Sequence, residues 1–388
     1  MRRRGDEAIT LDDALWERVM AATDGAVAPC YQCGVCTAIC PWGLVKEEAL
    51  SVRALIRRAQ LGVGQDGEVW WCTTCRQCET LCPRGVPIAD VMLALRRLAW
   101  QDQRMPKGLS SVMWALYWDG NPWRRPPSQR SAWTRGVELK AFEPTDEVLF
   151  YTGCTASYDN RAQKVARALV AVLHGAGVSF GTLGEAEPCC GDAAYALGQH
   201  DYLEQVVAAN AQRFAEAGVR TTVTVSPHCY DMFLHHYPRR DGFRPLHYTQ
   251  YLALLLEEGR LRFASTYRAR VTFHDPCYLG RRNDVYDPPR RVLAAIPGLE
   301  VVEMPRSRQA ALCCGGGGGR MWMETAAGER FADLRVQEAA ETGADVLVTA
   351  CPHCIACLED SLKQSGSRIR VMDVAELAAA ALTTGGAA

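Results

Sequence analysis

Eight of the eighteen cysteines in this 388-residue chain fall into two runs of one spacing, Cys30-x2-Cys33-x2-Cys36-x3-Cys40-Pro41 and Cys72-x2-Cys75-x2-Cys78-x3-Cys82-Pro83. So compact a run leaves little choice of fold. Three thiolates wrap one corner of a cubane, and the chain carries the fourth to a second cluster. The spacing assigns Cys30, Cys33, Cys36 and Cys82 to one [4Fe–4S] cluster and Cys72, Cys75, Cys78 and Cys40 to the other. A pair of structural zinc sites is the alternative, although four-cysteine zinc modules usually show two separated CxxC pairs. Gly34 lets backbone approach the cluster, and Pro41 and Pro83 end the loops. In Val45–Leu61 and Ile88–Trp100, apolar residues recur at three- and four-residue spacing, which predicts helices. Residues 1–105 therefore read as an α-helical dicluster ferredoxin domain.

The remaining cysteines belong to a repeat. VLFYTGC (Val148–Cys154) parallels VTFHDPC (Val271–Cys277), EPCCG (Glu187–Gly191) parallels LCCGG (Leu312–Gly316), and TVSPHC (Thr224–Cys229) parallels TACPHC (Thr349–Cys354). The first pair of motifs is followed by the second after 35 and 36 residues, and the second by the third after 36 and 37. Short β-like runs followed by long helical ones predict a duplicated α/β unit over 146–265 and 266–388, so the fold class is α plus α/β. Between the two parts, 106–145 reads as a linker rich in Trp, Pro and Arg. It holds Trp114, Trp118, Trp123 and Trp133, and seven basic residues stand against two acidic ones from Arg104 to Lys140. Its aromatics either pack between the two domains or, beside those basic residues, meet anionic lipid or a membrane cytochrome.

A net charge of −1 argues against nucleic acid as a partner. The first residues, MRRRGDEAITLDDALWERV, have no apolar run behind their charge, so neither a signal peptide nor a twin-arginine signal is expected, and Arg2–Arg4 read as a solvated tail. No stretch reaches the roughly 20 apolar residues of a membrane span. The chain thus reads as cytoplasmic, with reduced thiols that bind metal rather than form disulfides, and peripheral to the membrane only through a partner.

CYQCGVCTAICP and WWCTTCRQCETLCPRGVPIADVMLALRRLA resemble the small, ferredoxin-type component of heterodisulfide reductase, and the duplicated CCG region resembles the catalytic component of that enzyme. Their fusion in one chain is similar to the D-type polypeptide of heterodisulfide reductase, to the iron–sulfur polypeptide of the membrane complex serving dissimilatory sulfite reductase, and to that of glycolate oxidase. The resemblance implies a non-cubane [4Fe–4S] cluster held by five thiolates, here Cys277, Cys313, Cys314, Cys351 and Cys354, as the catalytic site. Gly315 and Gly316, within the run Gly315–Gly319, would bring backbone N–H groups to cluster sulfurs. His353 and His274 would donate hydrogen bonds or protons, or serve only structure. The first repeat departs from the pattern: Cys154, Cys189, Cys190 and Cys229 are present, but Ser226 replaces the fifth thiolate, so a cubane or other cluster, a zinc ion and an empty thiol group all stay open there. Cys357 reads as a spare buried thiol.

Two functions follow from the resemblance. In the first, two cubane clusters carry electrons to the non-cubane cluster, which reduces or oxidises a disulfide-type substrate, coupled to a membrane cytochrome b-type or quinone-reactive partner. The second is electron transfer from a flavoprotein (a 2-hydroxy-acid oxidase or an electron-transfer flavoprotein) toward quinone. A free Cys351-x-x-Cys354 pair is the competing disulfide chemistry.

Overall fold

The computed structural model describes residues 12–46, 50–63 and 67–382. The amino-terminal tail with Arg2–Arg4, part of the Val45–Leu61 segment and the last residues of the second repeat lie outside that range.

Helices build the first hundred residues. In Val52–Gln60, Ser51 caps the first turn by accepting from Ala54 N–H (3.3 Å), Val52, Leu55, Ile56 and Ala59 turn inward, and arginines stay outside. Ile88–Gln101 is buried over most of its surface and runs through the middle of this part. The predicted helix over Val45–Leu61 is shorter than its periodicity suggests, because Trp42–Val45 forms a separate turn.

The repeat is plain in the sheets. The first contains β1 (Val148–Tyr151), β2 (Phe180–Gly181), β3 (Thr221–Thr224) and β4 (Arg244–His247), all parallel in the order β2-β1-β3-β4. The second contains β5 (Ala269–Phe273), β6 (Leu299–Val302), β7 (Val346–Thr349) and β8 (Arg370–Asp373), parallel in the matching order β6-β5-β7-β8. Apolar runs such as VLFY and VLVT are buried along their length, as strands covered on both faces must be. In each sheet the strand order reverses at the central pair, β1/β3 and β5/β7. The crevice at the carboxyl ends of such a pair is where open α/β sheets hold ligands.

The two sheets and their helices share one apolar core. A second core joins the amino-terminal helices to the first repeat and to Cys277, Tyr278, Cys313 and Phe331 of the second. The segment read as a linker is a structured strap. It forms the helix Leu109–Asp119 and two short 3-10 turns, buries Trp133 beside Phe150, and sets Trp123 edge-on against Trp322 of the second repeat at 5.3 Å. Trp114 and Trp118 stay outside. The packing reading therefore describes Trp123 and Trp133 but not the other two.

Candidate metal centres

All eighteen cysteines are free of disulfides. Cys30, Cys33, Cys36 and Cys82 line one cavity, and Cys40, Cys72, Cys75 and Cys78 line another. Each set crosses between the two sequence runs. The first cavity lies at the surface, where Cys33 is exposed, and the second is deeper. Burial pushes the thiol of Cys40 up to about 12 and that of Cys72 up to about 11, so thiolates gathered there call for a cation.

The five second-repeat cysteines come from the carboxyl ends of three neighbouring strands: Cys277 after β5, Cys313 and Cys314 after β6, and Cys351 and Cys354 after β7. Cys313 lies within hydrogen-bonding reach of Cys277, Cys314 and Cys75, Cys354 within reach of Cys314 and Cys351. The Cys75 thiol is pushed well up, first by its hydrogen bond with Cys313 and then by burial. The deeper dicluster group and the five-cysteine group thus meet directly. Thr73 accepts from the Cys313 thiol (3.7 Å), Tyr278 and Thr74 share a hydroxyl contact of 2.8 Å, and Arg281 donates to the Cys75 carbonyl (2.7 Å). Gly318 (φ +59°) is required at this junction, since a Cβ there would lie 2.5 Å from the Cys72 carbonyl oxygen. Gly315 N–H donates to Cys313 Sγ (3.3 Å), whereas Gly317 and Gly318 approach backbone of Thr73 and Cys72 rather than sulfur.

His274 is buried beside this group, and a ligand atom of His274 lies within 4.8 Å of the sulfurs of Cys314 and Cys354. Arg335 Nε–H donates to His274 Nδ1 (3.1 Å), so Nδ1 is the acceptor of the ring. Burial, reinforced by that guanidinium, holds the imidazole neutral. The proton then sits on Nε2, which has no oxygen or nitrogen partner. One ring nitrogen of His274 therefore stands without a hydrogen-bond partner beside the sulfurs of Cys314 and Cys354, placed to donate to them or to join them around a metal.

In the first repeat Cys154, Cys189, Cys190 and Cys229 form an unbroken series of thiol contacts. They share a cavity with Ser226, whose hydroxyl caps Pro227–His235 by accepting from His228 N–H (3.3 Å). Arg130, from the strap, points Nη1 and Nη2 at Cys154 Sγ (3.7 and 3.6 Å) and pairs with buried Glu187 (3.0 Å). Gly153 (φ +75°) passes so close that a Cβ would lie 3.0 Å from Cys229 Sγ.

The histidines of the two Pro-His-Cys turns cross over. His353 Nε2 lies 3.0 Å from Thr155 Oγ1 and lines the first-repeat cavity. His228 reaches Cys351 and pairs with Asp192 (3.1 Å). Burial opposes its charge, but Asp192 and Cys351 push it up to about 10. For Cys351, burial raises the thiol pKa, yet hydrogen bonds with Cys354 and His228 hold it well below the ordinary thiol value. Sequence reading missed His228, although it occupies the place of His353 in the repeated motif, and it had no signal for Arg130, Arg281 or Arg335.

A cleft of about 580 Å³ runs down to Cys314, Gly315 and Gly316, with Trp42, Phe331 and Arg320 on its walls. Cys357 lines it and is half-buried, more open than the spare buried thiol expected. The donor chemistry fits iron–sulfur ligation: soft thiols converge in groups and an arginine stands beside each repeat group, with oxygen atoms of Ser226 and Asp192 entering only the first-repeat cavity.

Comparison with known proteins agrees with this chemistry. The cysteine-rich domain family CCG matches residues 148–234 and 271–359, and the 4Fe-4S dicluster domain family matches residues 26–86. The chain is 38% identical over 304 residues to the probable iron-sulfur-binding oxidoreductase FadF of Bacillus subtilis, covering 75% of this chain and 43% of that protein. It is 38% identical over 274 residues to the EtfAB:quinone oxidoreductase of Syntrophomonas wolfei (66% of this chain, 38% of that protein). With the D-type polypeptide of the dihydromethanophenazine:CoB–CoM heterodisulfide reductase of Methanosarcina barkeri it shares 34% over 269 residues (68% and 65%). The chain spans less than half the length of the first two relatives and about two thirds of the third.

Proposed function

The chain belongs to the iron–sulfur proteins that join a 4Fe-4S dicluster domain to paired cysteine-rich CCG domains, and from that membership we propose that it is a heterodisulfide reductase-like oxidoreductase component. In this reading Cys30, Cys33, Cys36 and Cys82 hold one cubane and Cys40, Cys72, Cys75 and Cys78 a second. Cys277, Cys313, Cys314, Cys351 and Cys354 hold a non-cubane cluster that acts on a disulfide-type substrate. The supporting observation is the meeting of Cys75 with Cys313, which leaves no intervening protein layer between the deeper dicluster group and the five-cysteine group.

When bound, an open iron–sulfur cluster supplies one-electron chemistry and a soft metal edge for a substrate sulfur. The protein supplies the rest. The cleft above Cys314 admits the substrate from one side, and Trp42 and Phe331 restrict water along its wall. His274 holds a proton on Nε2 toward Cys314 and Cys354, fixed there by Arg335. Arg281 places positive charge beside Cys75, Cys277 and Cys313, against the burial that opposes thiolate there, and His228 favours thiolate at Cys351.

Partners in this reading are a membrane cytochrome b-type or quinone-reactive protein, or a flavoprotein. Among the described residues no helix is long and apolar enough to cross a membrane. An electron-transfer role between flavoprotein and quinone is the second reading. It is favoured by the first repeat, where Ser226 serves as a helix cap and four thiols suffice for a closed site, a cubane or zinc.

The test is anaerobic reconstitution of the full chain, reduction of its clusters with a one-electron donor such as reduced methyl viologen, and titration with heterodisulfides, each disulfide taking two electrons and two protons to give two thiols. A new paramagnetic signal together with release of thiols is the expected result. Co-purification with a flavoprotein and no thiol release from any disulfide supports the second reading instead.

A further inference from the structure

The chain has ten tryptophans, and eight are buried or half-buried. The two exposed ones, Trp114 (61%) and Trp118 (72%), stand on the helix Leu109–Asp119 together with exposed Tyr117 (62%). Their rings join into one patch, with Trp114 on Tyr117 at 6.5 Å and Tyr117 on Trp118 at 4.9 Å, both edge to face. The opposite face buries Leu109, Val112, Ala115 and Leu116, and no charged residue precedes Asp119. A helix apolar on both faces belongs in an apolar setting on both, and only one is provided by the fold.

The charge around the patch indicates what covers it. Lys107 precedes the helix and Arg124 and Arg125 follow it, all exposed. Asp119 is half-buried, and Asp201, on the helix whose Tyr202 hydroxyl bonds the Leu116 carbonyl (2.7 Å), is paired with Arg97. Indole and phenol rings suit the depth of lipid headgroups, and basic residues at the edges match anionic lipid. Eleven residues make a helix about 16 Å long, roughly half the hydrocarbon core, so it lies in the interface plane and does not span.

We infer that the helix Leu109–Asp119 is a lipid-contacting anchor that seats the protein on an anionic membrane surface through Trp114, Tyr117 and Trp118. It deepens the membrane reading above by making the contact direct, and it involves no cluster, so its failure and the failure of the redox reading are separately observable.

The experiment is flotation of the full chain with vesicles of phosphatidylcholine alone or mixed with phosphatidylglycerol. Binding to the mixed vesicles, weakened by salt, is expected, with tryptophan fluorescence quenched by brominated lipid in the unmodified protein. Trp114→Ala with Trp118→Ala should bind about tenfold more weakly. Lys107→Glu, Arg124→Glu and Arg125→Glu together should abolish the preference for phosphatidylglycerol. Absence of binding and of quenching with either vesicle, or binding unchanged by the tryptophan substitutions, overturns the inference. So does retention of the patch by a detergent-solubilised membrane protein when the chain fails to bind lipid.

Discussion

His228 and His353 stand with ring centroids 4.2 Å apart and planes 49° from each other, each carried by the Pro-His-Cys turn of a different repeat. Each ring reaches the repeat it does not come from: His353 meets Thr155, and His228, paired with Asp192 of its own repeat, meets Cys351. The duplication has therefore produced an exchange of side chains between two cysteine groups, not merely two copies of one group.

That exchange predicts a remote effect of His228→Phe. The ring keeps its stack on Tyr278, now 3.8 Å away, but loses Asp192 and Cys351. The potential of the five-cysteine centre should fall, while the signals of the dicluster centres stay unchanged in redox-poised paramagnetic resonance. A change confined to the dicluster signals would contradict this placement.

Arg335→Met should act through His274. Without a donor at Nδ1 the imidazole is free to adopt either tautomer, so the donor toward Cys314 and Cys354 is no longer fixed. The five-cysteine centre should shift or broaden, and His274→Phe should give a comparable change that the two substitutions together do not double.

Arg96 joins all three parts of the chain. It is fully buried and donates to the carbonyls of Val69 (3.1 Å), Cys72 (2.5 Å), Ala196 (2.6 Å) and Gly318 (2.8 Å). Arg96→Met strands three buried acceptors, Val69 keeping the Cys72 N–H (3.4 Å), so a loss of about 3 kcal/mol or more is expected in denaturant unfolding, since each unsatisfied group costs about 1–3 kcal/mol. Gly318→Ala should also destabilise, by pressing a methyl group onto the Cys72 carbonyl.

His247 gives the pH dependence a sign. It is fully buried, its Nδ1 lies 2.8 Å from Thr249 Oγ1, and burial pushes its pKa down to about 3. The unfolded chain takes up a proton near pH 6.5 that the fold refuses. The stability this gives is full above about pH 6.5 and is lost as pH falls toward 3, at up to about 1.4 kcal/mol per pH unit. His247→Asn, which can still cap Tyr248–Glu257, should make the fall of urea midpoints between pH 6.5 and 4 shallower, the neutral His274 and His353 keeping their share of it.

The two dicluster groupings and the duplicated α/β plan are legible because they rest on spacing, which is local to the chain, whereas the five-cysteine set follows from the family resemblance. Cys277 and Cys313 were named from their motifs, and they lie in contact. Arg96 and Arg130 were not legible. Their partners lie up to 222 residues away, and one arginine in a helix or a Trp/Pro-rich strap carries no pattern. The strap shows the same limit: Trp133 and Trp118 sit in similar sequence, yet one fills a core and the other faces solvent. His228 was readable in principle, since the repeated Pro-His-Cys motif marks it beside His353, but its crossing to the other repeat depends on how the two sheets share a core.

The most direct test of the central claim is iron content, measured on anaerobically reconstituted full chain beside the variant Cys277→Ser with Cys313→Ser. Two cubanes and one five-thiolate cluster predict about twelve irons per chain, or about sixteen if the first repeat also holds a cluster. The variant should lose about four irons and keep its dicluster signals. Equal iron in the two proteins, or zinc in place of iron at the second repeat, would contradict the account.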